Sequence, residues 1–247
     1  MPDTAPLAFF LILSGAAIGS FLAAWADRLP RGESIVTTPS SCRACGMRIA
    51  WRDLLPVVSW LALSGRCRGC GAAIPRRLFY AEISGAVLTI IAIWVAATPV
   101  DMMLGALWLW CLFGLLLCDL SDFRLPDPLT GLLVLTGVAL AVADPWRGIG
   151  DALLGAGVGA GAFLAIRIVY QVVRGREGLG LGDVKLMAGI GAGLGWAALP
   201  MVALVASIGA LALTGLRTLR GKRASGGTEI PFGAYLSAAA ALVWLWL

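Results

Sequence analysis

Two groups of side chains in this sequence have the types and spacing for chemistry, and the first is acidic. Asp119-Leu-Ser-Asp122-Phe-Arg-Leu-Pro126-Asp127-Pro-Leu-Thr130 follows one apolar run, and Gly180-Leu-Gly182-Asp183-Val-Lys185 opens another. If Asp119 and Asp183 face each other, two carboxyls in a partly dry site do not both ionise readily. One then keeps a proton while the other acts as base on a shared water, the division of labour of an aspartic protease. Gly180 and Gly182 let a peptide backbone come close and free the chain to bend into a helix. Other readings stand beside this one. Asp183 suits a helix N-cap, and Asp127 before Pro128 suits one too. Asp122 can pair with Arg124, and acids in an apolar chain also build ion or proton pathways. Lys185 would either bias proton sharing between the acids or bind a lipid phosphate.

The second group is four cysteines, Cys42-Arg-Ala-Cys45 and Cys67-Arg-Gly-Cys70. Two C-x2-C pairs at this separation have the spacing of a four-thiolate zinc site, each pair on a tight turn. Gly46 and Gly71 follow the second cysteine of each pair, as such turns prefer. A redox dithiol and plain free thiols are the alternatives. Four sulfurs close the coordination shell, so this zinc would be structural and would not activate water. Cys111 and Cys118 lie in an apolar run and read as inert small hydrophobes.

Composition narrows the chemistry further. The 247 residues include no histidine, which excludes Ser-His-Asp and Cys-His catalysis, HExxH zinc proteases and haem on a proximal His. Proton chemistry near neutral pH therefore falls to carboxylates, lysines, tyrosines or thiols.

The elements that must position these groups are membrane helices. The chain is 60% hydrophobic and 13% charged, against about 25% charged in soluble domains. Apolar runs occur at 7–26, 83–98, 103–118, 128–143 and 151–173. A further stretch to Leu216, divided by Pro200 and the small residues at 193–195, gives a short sixth helix near 184–196 and a seventh near 197–216. The last run is 231–247. The sequence thus predicts an all-α, polytopic membrane bundle of about eight transmembrane helices. The first run has no basic flank or clear cleavage site, and reads as a retained anchor. Of the 19 basic residues, all but Arg147 fall on one side when loops are counted alternately. By the positive-inside rule that side is cytoplasmic and both termini are periplasmic. The net charge of +5 is thus a topology signal and calls for no nucleic acid. The one polar stretch long enough for a domain, residues 27–82, is a small cytoplasmic insert that needs a staple such as zinc. Gly155, Gly157, Gly159 and Gly161 form a small-residue ridge for helix packing. No internal repeat of useful length is visible.

Taken together, these motifs resemble the type IV prepilin peptidases, a family of bacterial intramembrane aspartic proteases. The resemblance runs from Gly19-Ser20-Phe21 and Arg28-Leu29-Pro30 through the four cysteines, Trp51-Arg-Asp-Leu-Leu-Pro56, Ser59-Trp60 and Glu82. It continues through Leu125-Pro126-Asp127-x-Leu129-Thr130 and Gly180-x-Gly182-Asp183-x-Lys185 to at least Gly233. Gly-x-Gly-Asp alone is weak, but the cysteine insert and both acidic motifs in this order are specific.

The resemblance implies an inner-membrane enzyme that cuts the basic leader from prepilins and pseudopilins on the cytoplasmic face. Members with the cysteine domain also methylate the new amino terminus with S-adenosylmethionine. It implies Asp119 and Asp183 as the catalytic pair, Asp119 rather than Asp122 because the family's first acid stands seven residues before the motif proline. Gly180, Gly182 and Lys185 are then supporting residues, and Glu82 a candidate toward the methyl donor. The implied organisation is a first span at 1–26, a cytoplasmic cysteine-rich domain at 27–82 and a membrane peptidase domain at 83–247. Ala23 and Leu78-Phe79-Tyr80 depart from the family pattern; both lie in the amino-terminal half and bear on methyl transfer rather than proteolysis. The expected partners are prepilins and the lipid bilayer, with oligomeric state open. A proton-coupled transporter, with acids nearer the bilayer midplane, and a scaffold that leaves leaders intact are the rival classes.

Overall fold

A computed structural model describes residues 4–219 and 230–246. Arg220, Lys222 and Arg223, counted above in the charge asymmetry, lie outside the described residues. The described residues form nine α-helices and no strand longer than an isolated bridge. The helices are α1 (Ala5–Arg28), α2 (Val58–Ala62), α3 (Arg76–Val95), α4 (Pro99–Asp122), α5 (Asp127–Ala143), α6 (Ile149–Arg174), α7 (Leu181–Leu194), α8 (Leu199–Leu219) and α9 (Phe232–Trp244). Five of the eight expected spans, built on α1, α3, α4, α6 and α8, are long and apolar enough to cross a membrane. The others, α5, α7 and α9, have 17, 14 and 13 residues. The chain divides into two compact units, Met1–Trp110 and Cys111–Leu247.

In the first unit, α1 and α3 touch backbone to backbone. Gly15 lies against Gly85, and Gly19 against Ala81 and Glu82, with no room for a Cβ at any of the three glycines. Small residues are the usual device for close packing where lipid offers no hydrophobic drive. A buried polar chain adds direction: Trp110 Nε1 donates to Thr89 Oγ1 (2.9 Å), which donates to Gly85 O (2.8 Å). Between α1 and α3 the chain forms the cysteine insert. Arg28, at the end of α1, anchors it by donating to Thr38 O (2.8 Å), and Asp27 pairs with Arg43 and Arg77. Helix α3 starts at Arg76, seven residues before the expected span, so Glu82 lies inside a helix rather than ahead of one. Pro75 halts the preceding extended turn and Arg76-Arg-Leu-Phe-Tyr-Ala-Glu is helix-competent although polar.

In the second unit, α7 is packed by α5, α6 and α9. Of the expected glycine ridge on α6, Gly155 and Gly159 meet α7 at Gly191 and Met187, while Gly157 and Gly161 face open space. Residues four apart share a helix face and residues two apart do not. At 1.5 Å per residue α7 is about 21 Å long, short of the roughly 30 Å hydrocarbon core. Its last residues are buried, and Arg147 donates to their carbonyls, Gly193 O (2.6 Å) and Ala192 O (3.1 Å). The chain breaks at Gly195 (φ 82°), and Pro200 sits in the first turn of α8, where its missing N–H costs nothing.

Candidate active site

The acidic stretches converge in the second unit. Asp119 stands in the last turn of α4 and is 5% exposed. That helix ends because Phe123 turns left-handed (φ 53°), its N–H returning to Asp119 O (3.0 Å). Leu125-Pro126 then leads into α5. Asp183 occupies the first turn of α7, partly buried, after Gly180 in extended backbone. The loop before it is held from α6. Arg167 donates to Leu179 O (2.5 Å) and pairs with Glu177 (2.7 Å), and Gly178 lies on the Tyr170 ring. Gly182 lies against Leu125, where a Cβ would come within 3.1 Å of the leucine side chain.

The two carboxyls meet at the start of α9. A Cβ on Gly233 would lie 3.0 Å from Asp183 Oδ1 and 3.2 Å from Asp119 Cγ. The next residue, Ala234, donates its backbone N–H to Asp119 Oδ2 (2.7 Å). Sequence inspection assigned Gly233 and Ala234 no role. A Pro-Phe-Gly opening to an apolar helix was the signal, because glycine there admits other groups to the backbone.

Charge pairing sorts the four acids. Asp122 pairs with Arg124 (3.4 Å), as its neighbour in sequence allowed. Asp127 pairs with Lys185 (2.6 Å). It is the first residue of α5, Pro126 holds the cap position, and no side-chain cap bond forms, so the expected Asp127 cap is not made. Gly180, not Asp183, is the N-cap of α7. Among the described residues neither Asp119 nor Asp183 has a basic partner. Of the two roles open to Lys185, a bias on the pair or a lipid phosphate contact, its pairing with Asp127 favours neither directly.

In the first unit the four cysteine sulfurs lie within 4.8 Å of one another and can hold a metal ion. Cys42 Sγ and Cys70 Sγ are 3.8 Å apart, the edge of a tetrahedron with metal–sulfur bonds of about 2.3 Å. Two knuckles of one design present them. In each, the first cysteine's N–H donates five residues ahead, to Met47 O (2.9 Å) or Ala72 O (2.8 Å). A glycine in the left-handed region, Gly46 (φ 71°) or Gly71 (φ 70°), then donates back to that cysteine's carbonyl (2.9 Å in both). Cys-Arg-x-Cys-Gly-x-x-Ile at 42–49 and 67–74 is thus a short repeat that the sequence reading passed over. Backbone N–H groups of Cys45 and Ala44, with neighbouring thiols, pull the Cys42 thiol down to about 6. A thiolate so favoured is a ready metal ligand.

Beside this cluster is a cavity of about 240 Å³, lined entirely by residues between Ser20 and Glu82. Trp60 and Phe79 stack in its wall, ring centroids 4.3 Å apart. Glu82, 9% exposed, accepts from Ser20 Oγ and from the Val57 N–H, both at 2.7 Å.

Comparison with known proteins gives matches in both units. Residues 13–96 match the bacterial peptidase A24 N-terminal domain, and residues 106–215 match the type IV leader peptidase family. The chain is 38% identical over 215 residues to the prepilin leader peptidase/N-methyltransferase of Aeromonas salmonicida, covering 86% of this chain and 73% of the relative. It is 34% identical over 266 residues to the protein of that name from Pseudomonas aeruginosa, covering 98% and 91%. A third, from Klebsiella pneumoniae, is 36% identical over 204 residues, covering 80% and 90%. No solved structure matches the chain.

Proposed function

Because the chain belongs to the type IV leader peptidase family, we propose that it is a bifunctional membrane enzyme, an aspartic endopeptidase that removes the leader from prepilins and pseudopilins and an N-methyltransferase that then modifies the new amino terminus. The observation that carries the peptidase half is the convergence of Asp119 and Asp183 on Gly233 without basic partners among the described residues.

The chemistry follows from that pair. The two carboxyls share one proton and hold a water between them. The ionised carboxyl takes a proton from the water as its oxygen attacks the scissile carbonyl carbon, and the protonated one donates to the carbonyl oxygen. Collapse breaks the C–N bond, and a carboxyl proton goes to the leaving amine. The Ala234 N–H fixes the rotation of Asp119, and the absence of a side chain at 233 leaves the space that water and substrate backbone need. Gly180 keeps the approach to Asp183 clear, and Gly182 lets the start of α7 pack against Leu125. The substrate's apolar helix lies along the bundle with its basic leader on the cytoplasmic side, the side to which the placement of all basic residues but Arg147 assigns the insert, the termini lying opposite.

Cys42, Cys45, Cys67 and Cys70 hold one structural Zn²⁺ that ties the two knuckles. S-adenosylmethionine, when bound, supplies an electrophilic methyl group, and this chain's task is to bind that donor and orient the amine toward it. The deciding experiment is incubation of purified protein with a prepilin, followed by the product mass. Loss of the leader and, with S-adenosylmethionine present, a gain of one methyl are expected. An intact leader, or one cut equally well by Asp119→Asn or Asp183→Asn, refutes the assignment.

A further inference from the structure

The insert between α1 and α3 carries large apolar side chains on its outside. Trp51, Leu54, Leu55, Val58 and Leu61 are between 48% and 80% exposed. Apolar residues scattered singly over a surface are ordinary, whereas a run of them marks a surface that something covers. We infer that the segment Trp51–Ala62 is an interfacial element. It seats these side chains among the headgroups and upper acyl chains of the membrane that α1 and α3 are built to cross, and it prefers anionic phospholipid. The inference rests on the membrane reading of the helices and is independent of the peptidase chemistry.

Depth is the first argument. The Val57 N–H, at the start of α2, donates to Glu82 Oε2, and Ser20 Oγ donates to Glu82 Oε1, both at 2.7 Å. Glu82 is the last charged residue of α3, and residues 83–95 carry none. On α1, Ser20 stands seven residues before Asp27, the first charge that this helix meets on its way to the insert. That offset is about 10 Å along the helix axis, against roughly 5–7 Å for the headgroup layer on one side of a bilayer. The start of α2 is therefore bonded at the level where both spans turn apolar, and not above it in water.

Orientation is the second. Trp60 stacks on Phe79 of α3, with ring centroids 4.3 Å apart. At 100° per residue Val58 then points about 200° away from the Trp60 side of α2. The turn before it, Trp51–Leu54, is fixed to the second cysteine knuckle by the two-pronged Asp53–Arg68 bridge of 2.6 and 3.0 Å. Indole rings favour the headgroup level of a bilayer, which suits Trp51 at the edge of the segment.

Charge selects the lipid. Residues 29–75 hold six arginines and two acids. Both acids are paired, Glu33 with Arg31 and Asp53 with Arg68, and Arg43 is paired with Asp27. Arg48, Arg52 and Arg66 stay exposed and make no ion pair among the described residues. Exposed Trp and Leu beside unpaired arginines are the composition of elements that lie on anionic bilayers. The depth of α2 favours lipid over a soluble protein as the occupant.

The test places the photoreactive residue p-benzoylphenylalanine at Val58 or, in a second variant, at Leu61. Each full-length, zinc-loaded protein is irradiated in nanodiscs of phosphatidylethanolamine and phosphatidylglycerol, and the labelled peptide is identified by mass. Phospholipid adducts on the acyl chain are expected at both positions, with zinc content kept as proof that the insert is folded. Crosslinks to the Cys111–Leu247 unit or to a second copy of the chain would show that protein covers the segment, and would overturn the inference. So would the lack of any adduct in a variant that keeps its zinc. Arg52→Gln and Arg66→Gln in the same background are each expected to lower the share of phosphatidylglycerol among the adducts by up to about fivefold, the worth of one basic side chain near an anionic surface. An unchanged share in both would overturn the preference for anionic lipid.

Discussion

The two units assemble reactive side chains in opposite ways. The cysteine cluster of the first is made from two copies of a local turn, each fixed by hydrogen bonds within about eight residues. The carboxyl pair of the second is made from the ends of three helices, α4, α7 and α9, none of which is a neighbour of another in sequence. A local device writes its geometry into residue spacing. A convergent one writes only residue types, and its geometry comes from the packing that brings helix ends to one point.

Substitutions separate the two, and the largest effect belongs to the acids. Asp119→Asn and Asp183→Asn should each lower leader cleavage by about 10²- to 10⁴-fold or more, the range of a lost acid–base group, with zinc content unchanged. Gly233→Val should approach them, because its side chain enters the space between the carboxyls. Cleavage of a fluorescent prepilin peptide and metal analysis of the same samples read both properties at once. Robust cleavage by Gly233→Val would mean that the convergence seen here is not the working geometry. The converse experiment is Cys42→Ser with Cys67→Ser, which removes half of the ligands. Zinc should fall from about one per chain to none, and the insert should become sensitive to added protease. Retention of zinc would defeat the four-thiolate site.

The same contrast explains what sequence could reveal. The cysteine spacing announced a metal-binding knuckle because the C-x2-C turn is a self-contained unit. The long helices were equally legible from apolar runs, although their ends were less so and the five-residue α2 inside the insert, too short to carry a pattern, was not expected. Helix α3 begins at Arg76 and not near residue 83 because polar residues can extend a membrane helix into water, where hydropathy is blind. The pairing of Asp119 with Asp183 was available only as one of several roles for acids at helix ends, and family resemblance raised it above the others. Gly233 and Ala234 had only a weak signal, a Pro-Phe-Gly opening to an apolar helix, which says that a glycine can admit another group but not which distant carboxyl it admits. Lys185 was open to two roles in the sequence, a bias on the proton shared by the pair or a lipid phosphate contact. On a helix an offset of two residues turns it about 200° from Asp183, and it pairs with Asp127.

A middle-sized effect comes from the far end of α7. Arg147 donates to the last, buried carbonyls of α7. Arg147→Ala leaves those carbonyls short of donors, at a cost of about 1–3 kcal/mol for partly buried groups. It should lower the thermal unfolding temperature in detergent, and Arg147→Lys should restore part of the loss by keeping one donor. A helix anchored this way fixes the depth of its other end, so cleavage should fall in parallel with stability. If Arg147→Ala leaves both unchanged, α7 is capped by something other than this guanidinium, and the positioning of Asp183 is more local than the fold suggests.

The smallest effect tests whether the second unit's acids act as a pair or as a field of four. Asp127 and Lys185 form a bridge in which both side chains are at least half exposed (74% and 50%). Exposed pairs contribute roughly 0–1 kcal/mol and are screened by salt, so Asp127→Asn and Lys185→Gln should shift stability by less than that. Neither group reaches Gly233, so cleavage by either variant should stay within about threefold of wild type, since a weak and screened exposed charge is worth less than a factor of ten. The pH profile should keep its shape, because the proton that matters is shared between Asp119 and Asp183. A displaced pH profile for Lys185→Gln would show that the ammonium acts on the pair after all, and the site would then have to be described as one coupled network rather than two carboxyls isolated by the pairing of their neighbours.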